Sequence, residues 1–210
     1  KEKNLCSYQC IFGNVERMKK ITFAKEMLPQ HMLLSCEKFS GSWAKVNPPI
    51  RDEKTRILNL QAYLNGMIDI ISSDHAPHTE YDKTEFQTSK SGMIGVETRI
   101  PLLLNLVKKG ILPMKIFAKT AIQNPSAIFG LNKGYVEIGY DADFFSVDLS
   151  NTRRINQERL HSKNPFTAFN NFEAIFPSDV IISGNRVLDG FEVVGGPSGH
   201  YISGKKTKMS

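Results

Sequence analysis

The segment MIDIISSDHAPHT, residues 67–79, constrains the fold of this chain more than any other. It begins as a short, nearly continuous apolar run and ends in Asp74, His75 and His78. Such a run favours a strand buried on both faces, as in a parallel sheet. The loops that follow the carboxyl ends of parallel strands carry the active sites of α/β proteins. We therefore predict that Asp74 follows a buried strand and belongs to a candidate site.

The segments around this strand alternate between predicted strands and helices. The predicted elements are a helix over 13–21, a strand over 22–27, a helix over 53–65 capped by Asp52, the strand 67–74, and helices over 96–110 and 113–123. The polar stretch 78–95 predicts a long loop, and loops of that length without structure are usually functional or disordered. The alternation argues for an α/β layer with parallel strands up to about residue 130.

The pattern changes after this α/β part. Residues 134–149 and 179–190 read as short alternating strands separated by turns rich in glycine and asparagine, which predicts a small appended β module. We expect three parts: an α/β part over 1–133, the β module over 134–200, and a flexible basic tail over 201–210.

Composition excludes several classes of protein. No window approaches the ~20 consecutive apolar residues of a membrane span, and no secretion signal is visible at the start. Three cysteines suit a reducing cytoplasm better than a disulfide framework. The net charge is +6, but the basic residues are scattered and their only dense cluster is the tail, so we expect no nucleic-acid partner.

Asp74 has two interpretations on residue type alone. It is a turn or helix cap with His75 and His78 as polar surface, or it is a metal ligand and general base with His78 contacting substrate. A carboxylate on a divalent ion can also take a proton from the attacking water. Histidine at neutral pH can donate to a substrate oxygen.

Six motifs favour the second interpretation. In order they are PQHMLLS (29–35), KVNPPIR (45–51), NGMIDIISSDHAPHT (65–79), SGMIGVET (91–98), NPSAIFGL (124–131) and GYDADF (139–144). Their sequence, order and spacing resemble the cyclic amidohydrolases, and within them the dihydroorotase family of the bacterial and archaeal type.

The resemblance implies a fold and an activity. The fold is α/β: the C-terminal part of a (β/α)8 TIM-type barrel over 1–133 with a small appended β-sandwich module. The activity is the reversible hydrolysis of the ring amide of dihydroorotate to N-carbamoyl-aspartate in pyrimidine biosynthesis. The resemblance also implies a cytoplasmic enzyme that uses one or two zinc ions.

The same resemblance implies roles for individual residues. Asp74 is similar to the aspartate that binds the catalytic metal and moves the proton. Asn47 looks like the asparagine that contacts the substrate ring, and His78 like the histidine that contacts its carboxylate. Ser91 and Gly92 resemble the loop whose backbone amides hold the substrate. His75 and His31 are expected to be structural.

The chain departs from the family pattern in its metal ligands. It contains no H-x-H motif, and Tyr8 aligns with an expected histidine. We expect a fragment whose complement is an N-terminal barrel part or a partner chain, and which alone is inactive. Two alternatives stay open: a non-catalytic dihydroorotase-like scaffold for aspartate carbamoyltransferase, with Tyr8 favouring it, and a hydantoinase or allantoinase relative, which residue 78 discriminates. A homo-oligomer is compatible with each.

Overall fold

The computed structural model describes the backbone of residues 7–9 and, beyond them, residues 24–164, 166–197, 199, 201 and 202. The predicted helix over 13–21, most of the predicted tail, Cys6, Cys10 and His200 lie outside the described residues, as does the side chain of Tyr8.

A three-stranded parallel sheet forms the N-terminal half of the fold. Its strands are β1 (Ser7–Gln9), β2 (Ala24–Met27) and β3 (Ile70–Ile71), in that spatial order. Both residues of β3 are buried, which confirms the buried strand predicted from the apolar run, although the strand is shorter than 67–74. Asp74 therefore follows the carboxyl end of β3, as predicted.

Helices follow these strands and pack beside the sheet. They are α1 (Gln30–Leu33), α2 (Glu53–Leu64), α3 (Arg99–Lys108), α4 (Met114–Ala118) and α5 (Asn124–Phe129). The Asp52 side chain accepts from the Thr55 amide at 2.8 Å, which confirms the predicted cap of α2. A π-helical turn, Lys119–Gln123, joins α4 to α5, so the helix predicted over 113–123 continues to Phe129. The chain is thus α/β in this half.

Antiparallel strands replace this alternation in the C-terminal half. They are β4 (Phe144–Ser146), β5 (Arg153–Arg154), β6 (Glu173–Ala174), β7 (Asp179–Ile182), β8 (Asn185–Asp189) and β9 (Glu192–Val193). One sheet has the order β4-β7-β8-β9, and β5 pairs with β6 in a separate ribbon. The strands predicted over 179–190 are present as β7 and β8, whereas of the segment 134–149 only Phe144–Ser146 forms a strand. The described residues of this half thus form a four-stranded antiparallel sheet and a two-stranded antiparallel ribbon.

Two apolar clusters hold these elements together. The first joins the sheet to α3 and α4 through Met27, Ile71, Leu103 and Phe117. The second contains the buried residues Leu34, Val46, Ile50, Leu102, Ile155 and Phe169. Residues between β5 and β6 therefore pack against the α/β half. None of the helices within the described ranges has the length and apolar character needed to cross a membrane.

Candidate active site

Asp74 lies on an irregular loop at the carboxyl edge of the parallel sheet. Its backbone φ is +48°, a left-handed conformation that aspartate tolerates better than most residues. Partial desolvation of the carboxyl, and then the negative charge of Glu26, raise the pKa of Asp74. A carboxylate with a raised pKa is a better proton acceptor near neutral pH than an ordinary one.

Glu26 is a site residue that the sequence reasoning missed. It lies near the end of β2, in register with Ile70 of β3, and the Ser72 hydroxyl donates to its Oε1 atom at 2.5 Å. The signal was available: Glu26 comes near the end of a predicted strand, and parallel strands end at the same edge of a sheet. The negative charge of Glu26 therefore acts on the Asp74 carboxylate at this edge of the sheet.

His78, Ser91 and Gly92 are brought together as predicted site residues. The His78 Nε2 atom is 3.0 Å from the Ser91 carbonyl oxygen, and since a carbonyl only accepts, Nε2 carries the hydrogen. Gly92 has φ +146°, and a Cβ atom there would lie 2.6 Å from the Ala76 carbonyl oxygen and 2.9 Å from His78 Nε2. Only glycine fits this close approach.

His75 fastens the loop that carries Ser91 and Gly92. Its Nδ1 atom accepts from the amides of Gly95 at 3.1 Å and Val96 at 3.3 Å. The same two segments form a parallel β-bridge between His75 and Met93. The structural role predicted for His75 therefore agrees with its contacts.

Asn47 lies two residues after Lys45, whose carbonyl oxygen contacts the candidate site. The Gly92 amide donates to the Lys45 carbonyl oxygen at 3.0 Å, which places Asn47 two residues from the Gly92 contact. Asn47 itself is exposed. The amide of Gly92 and the ring of His78 are thus both bonded to main-chain carbonyls in this structure, so a substrate must compete with those carbonyls for them.

Lys83, on the long loop, is a second residue that the sequence reasoning missed. Its ammonium is buried and donates to the carbonyl oxygens of Ser42 and Lys45, each at 3.0 Å. The Ser42 hydroxyl in turn donates to the Lys83 carbonyl. No sequence pattern marks a buried lysine inside a polar loop. The loop 78–95 is irregular, as predicted, except for a 3₁₀ turn at Tyr81–Lys83.

A later segment of the chain covers one side of these loops. The Asn164 side-chain amide donates to the His78 carbonyl, and the Trp43 and Phe166 rings stack with centroids 4.1 Å apart. His161 is exposed, and its Nδ1 atom pairs with Glu97 at 2.9 Å. The segment after β5 therefore helps to fix the loop that carries His78.

The described residues hold only part of a possible metal site. No group of three or more histidine, cysteine, aspartate or glutamate side chains suited to a metal occurs among them. Zinc takes about four ligands, so Asp74 and Glu26 fit as a contribution to a site and not as a whole one. His31 is buried and its Nε2 atom bonds to the Pro48 carbonyl at 3.0 Å, as expected of a packing residue. Burial also lowers the pKa of His31.

Comparisons with known proteins relate this geometry to a family. The sequence profile of the Amidohydrolase family matches residues 15–187. The chain is 53% identical over 180 residues to a dihydroorotase of Thermoplasma acidophilum, which covers 86% of this chain and 44% of that protein. A dihydroorotase of Archaeoglobus fulgidus is 41% identical over 168 residues, covering 78% of this chain and 40% of that protein. The chain thus spans less than half the length of these curated relatives.

Solved structures with the same fold include two hydantoinases. The L-hydantoinase (dihydropyrimidinase) of Arthrobacter aurescens has a TM-score of 0.84 at 25% identity, over 90% of this chain and 46% of that chain. The D-hydantoinase (dihydropyrimidinase) of a Thermus species has a TM-score of 0.79 at 26% identity, over 86% of this chain and 42% of that chain.

Proposed function

Because the chain belongs to the Amidohydrolase family, we propose that it is the C-terminal part of a dihydroorotase, a cytoplasmic enzyme of pyrimidine biosynthesis. The observation that carries this proposal is the placement of Asp74 after β3, on the loop where His78 contacts Ser91 and Gly92. Relatives named dihydroorotase at 53% identity support the choice of substrate.

We propose further that the parallel sheet is a segment of a (β/α)8 barrel. In the described residues β1 and β3 are the outer strands of a three-stranded sheet, and a barrel closes such edges with further strands. The missing strands would come from the remainder of a longer protein or from a partner chain. The sheet β4-β7-β8-β9 would be one layer of a small β-sandwich, within the proposed module over 134–200.

Asp74, with Glu26 beside it, would help to hold a zinc ion or an ion pair in the complete enzyme. When bound, the metal supplies a Lewis acid and a nucleophilic water at neutral pH. The other ligands would come from outside the described residues, since three suitable side chains do not meet within them.

The chain's own residues would bind the ring and move one proton. Asp74 takes the proton of the attacking water as the new C–O bond forms at the ring carbonyl. It then gives this proton to the ring nitrogen as the C–N bond breaks, which yields the carbamoyl product. His78, Asn47, Ser91 and Gly92 hold the substrate meanwhile.

Substrate binding would exchange two protein hydrogen bonds for stronger ones. His78 Nε2 and the Gly92 amide now donate to the carbonyls of Ser91 and Lys45. A substrate carboxylate is a charged acceptor, and bonds to charged acceptors are about twice as strong as neutral ones. An anionic ligand therefore displaces these carbonyls more readily than a neutral ligand does.

The test is turnover by the complete protein with dihydroorotate and, separately, with hydantoin and dihydrouracil. We expect hydrolysis of dihydroorotate that Asp74→Asn abolishes. Preferential hydrolysis of the uncharged rings would favour the hydantoinase alternative, which the structural neighbours support. A metal-loaded protein that turns over none of them but binds aspartate carbamoyltransferase would be a scaffold instead.

A further inference from the structure

Lys83 carries a buried positive charge that forms no ion pair with a carboxylate of the described residues. The residue is 3% exposed, and its ammonium donates only to the carbonyl oxygens of Ser42 and Lys45 among its described contacts. Burial, and then the nearby charge of Lys45, lower the pKa of Lys83. Burying an unpaired charge is costly, so a protein keeps one where something else compensates it.

Lys45 brings a second positive charge to the same place. Its ammonium donates to the carbonyl oxygens of Phe86 at 2.7 Å and Gln87 at 3.1 Å, and lies over the Phe86 ring. Within the described ranges it too has no acidic partner. On the same loop, Lys90 differs, because it forms an ion pair with Asp82 at 2.8 Å.

These charges lie next to the candidate substrate loop. The Lys45 carbonyl oxygen accepts from both the Lys83 ammonium and the Gly92 amide, each at 3.0 Å. The Lys83 Nζ atom and the Gly92 amide nitrogen therefore lie on the same carbonyl oxygen, at most twice 3.0 Å apart. Gly92 in turn is packed against the imidazole of His78.

We propose that Lys83, together with Lys45, is a specificity-determining pair that selects ring amides carrying a carboxylate over uncharged ring amides. The proposal rests on the proposed function and extends it. Asn47, His78 and Gly92 can offer hydrogen bonds to either kind of ring. The two ammonium groups add an attraction that only an anion experiences, and burial strengthens it at Lys83. The substrate carboxylate then supplies the missing compensation.

The experiment compares an anion with its neutral isostere. Orotate and orotamide differ only in a carboxylate against a carboxamide, and their binding to the complete protein is measured by calorimetry. Lys83→Met keeps the aliphatic length and removes the charge. We expect the wild-type preference for orotate to fall about tenfold or more, with orotamide affinity unchanged.

Two further variants separate the effect of losing a charge from the effect of misfolding. Lys45→Met removes the other charge at a half-buried position and should lower the same preference. Lys90→Gln makes the same change of charge on the same loop, at a lysine already paired with Asp82. It should leave the ratio of the two affinities unchanged.

The outcomes separate the two proposals. If Lys83→Met and Lys45→Met weaken both ligands equally, the lysines only hold the loops together and the specificity proposal is wrong. If each retains the wild-type preference for orotate, the charges do not select and the proposal is again wrong. If wild-type protein binds neither ligand, the dihydroorotase assignment fails and this inference fails with it.

Discussion

At the scale of single residues, the chemical role of a side chain and the space around a residue can be tested by different substitutions. The proposed role of Asp74 depends on the chemistry of its carboxylate, whereas the close approach at Gly92 depends on the absence of a side chain. One residue is thus tested by changing its charge and the other by adding one carbon atom.

Asp74→Asn in the complete protein should lower kcat by about three orders of magnitude or more, because a proton carrier and a metal ligand are lost together. Steady-state kinetics measure the effect. Asp52→Asn is the matched control, since asparagine caps a helix as well as aspartate does. An Asp74→Asn enzyme that keeps a tenth of wild-type activity would contradict the assignment.

Gly92→Ala should raise KM for dihydroorotate at least about tenfold, because the added Cβ atom collides with the Ala76 carbonyl and displaces His78. Gly66→Ala is the control for backbone strain alone: Gly66 has φ +70° but open space around its Cβ position. Equal effects of the two substitutions on KM would show that crowding at Gly92 is irrelevant.

At the scale of elements, the two ends of the long loop 78–95 depend on a few side-chain bonds. His75 holds the end that carries Ser91 and Gly92, and Asp82 holds the earlier part of the loop. Because the loop is irregular, loss of one of these bonds should loosen the backbone near it.

His75→Leu should release this segment, whereas His75→Asn should retain it, since the asparagine oxygen can take the place of Nδ1 as acceptor. Hydrogen exchange at the amides of Gly95 and Val96 is the measurement. We expect at least about tenfold faster exchange in the leucine variant and near-wild-type exchange in the asparagine variant. Similar exchange in both variants would refute the role of Nδ1.

Acid should loosen the long loop through Asp82. Bonds from the Lys90 ammonium, and then from Thr79, lower the pKa of Asp82 to about 2. A lowered pKa means that the bonds stabilise the loop fully above pH 3.8 and are lost as the pH falls towards 2. Proteolysis of residues 79–90 by pepsin between pH 4 and 2 should accelerate in wild-type protein. The pH dependence should be flatter in Asp82→Asn, and an unchanged profile would contradict this account.

Elements with a clear cap or apolar pattern were predictable from the sequence, whereas features that depend on contacts between distant residues were not. The helix after Asp52 and the buried strand before Asp74 were predictable from capping and from the apolar run. The proximity of His78, Ser91 and Gly92 followed only from family resemblance. Lys83 was not predictable, because its burial depends on carbonyls 38 and 41 residues away in the chain. The spacing of residues along the chain does not predict contacts over such separations.

At the scale of the whole molecule, the described residues bring together no group of three side chains suited to a metal. Chain 1–210 alone should therefore bind no stoichiometric zinc and hydrolyse no dihydroorotate, because the described carboxylates are too few for a tetrahedral site. Elemental analysis after dialysis against zinc, alongside a turnover assay, tests this. Two tightly bound zinc ions with activity would overturn it, and activity regained with an N-terminal fragment would support a divided barrel.

The π-helical turn between α4 and α5 sets the rotation of the residues that follow it. Such a turn is an α-helix that has accepted one additional residue, and each residue turns the helix by about 100°. Past the turn, the Asn124 side chain donates to the Asp69 carbonyl at 2.7 Å, at the start of the strand segment that leads to Asp74. Deleting one residue from Lys119–Gln123 would rotate Asn124 away from that carbonyl. The bond between Asn124 and the Asp69 carbonyl therefore fixes the number of residues that this turn can hold.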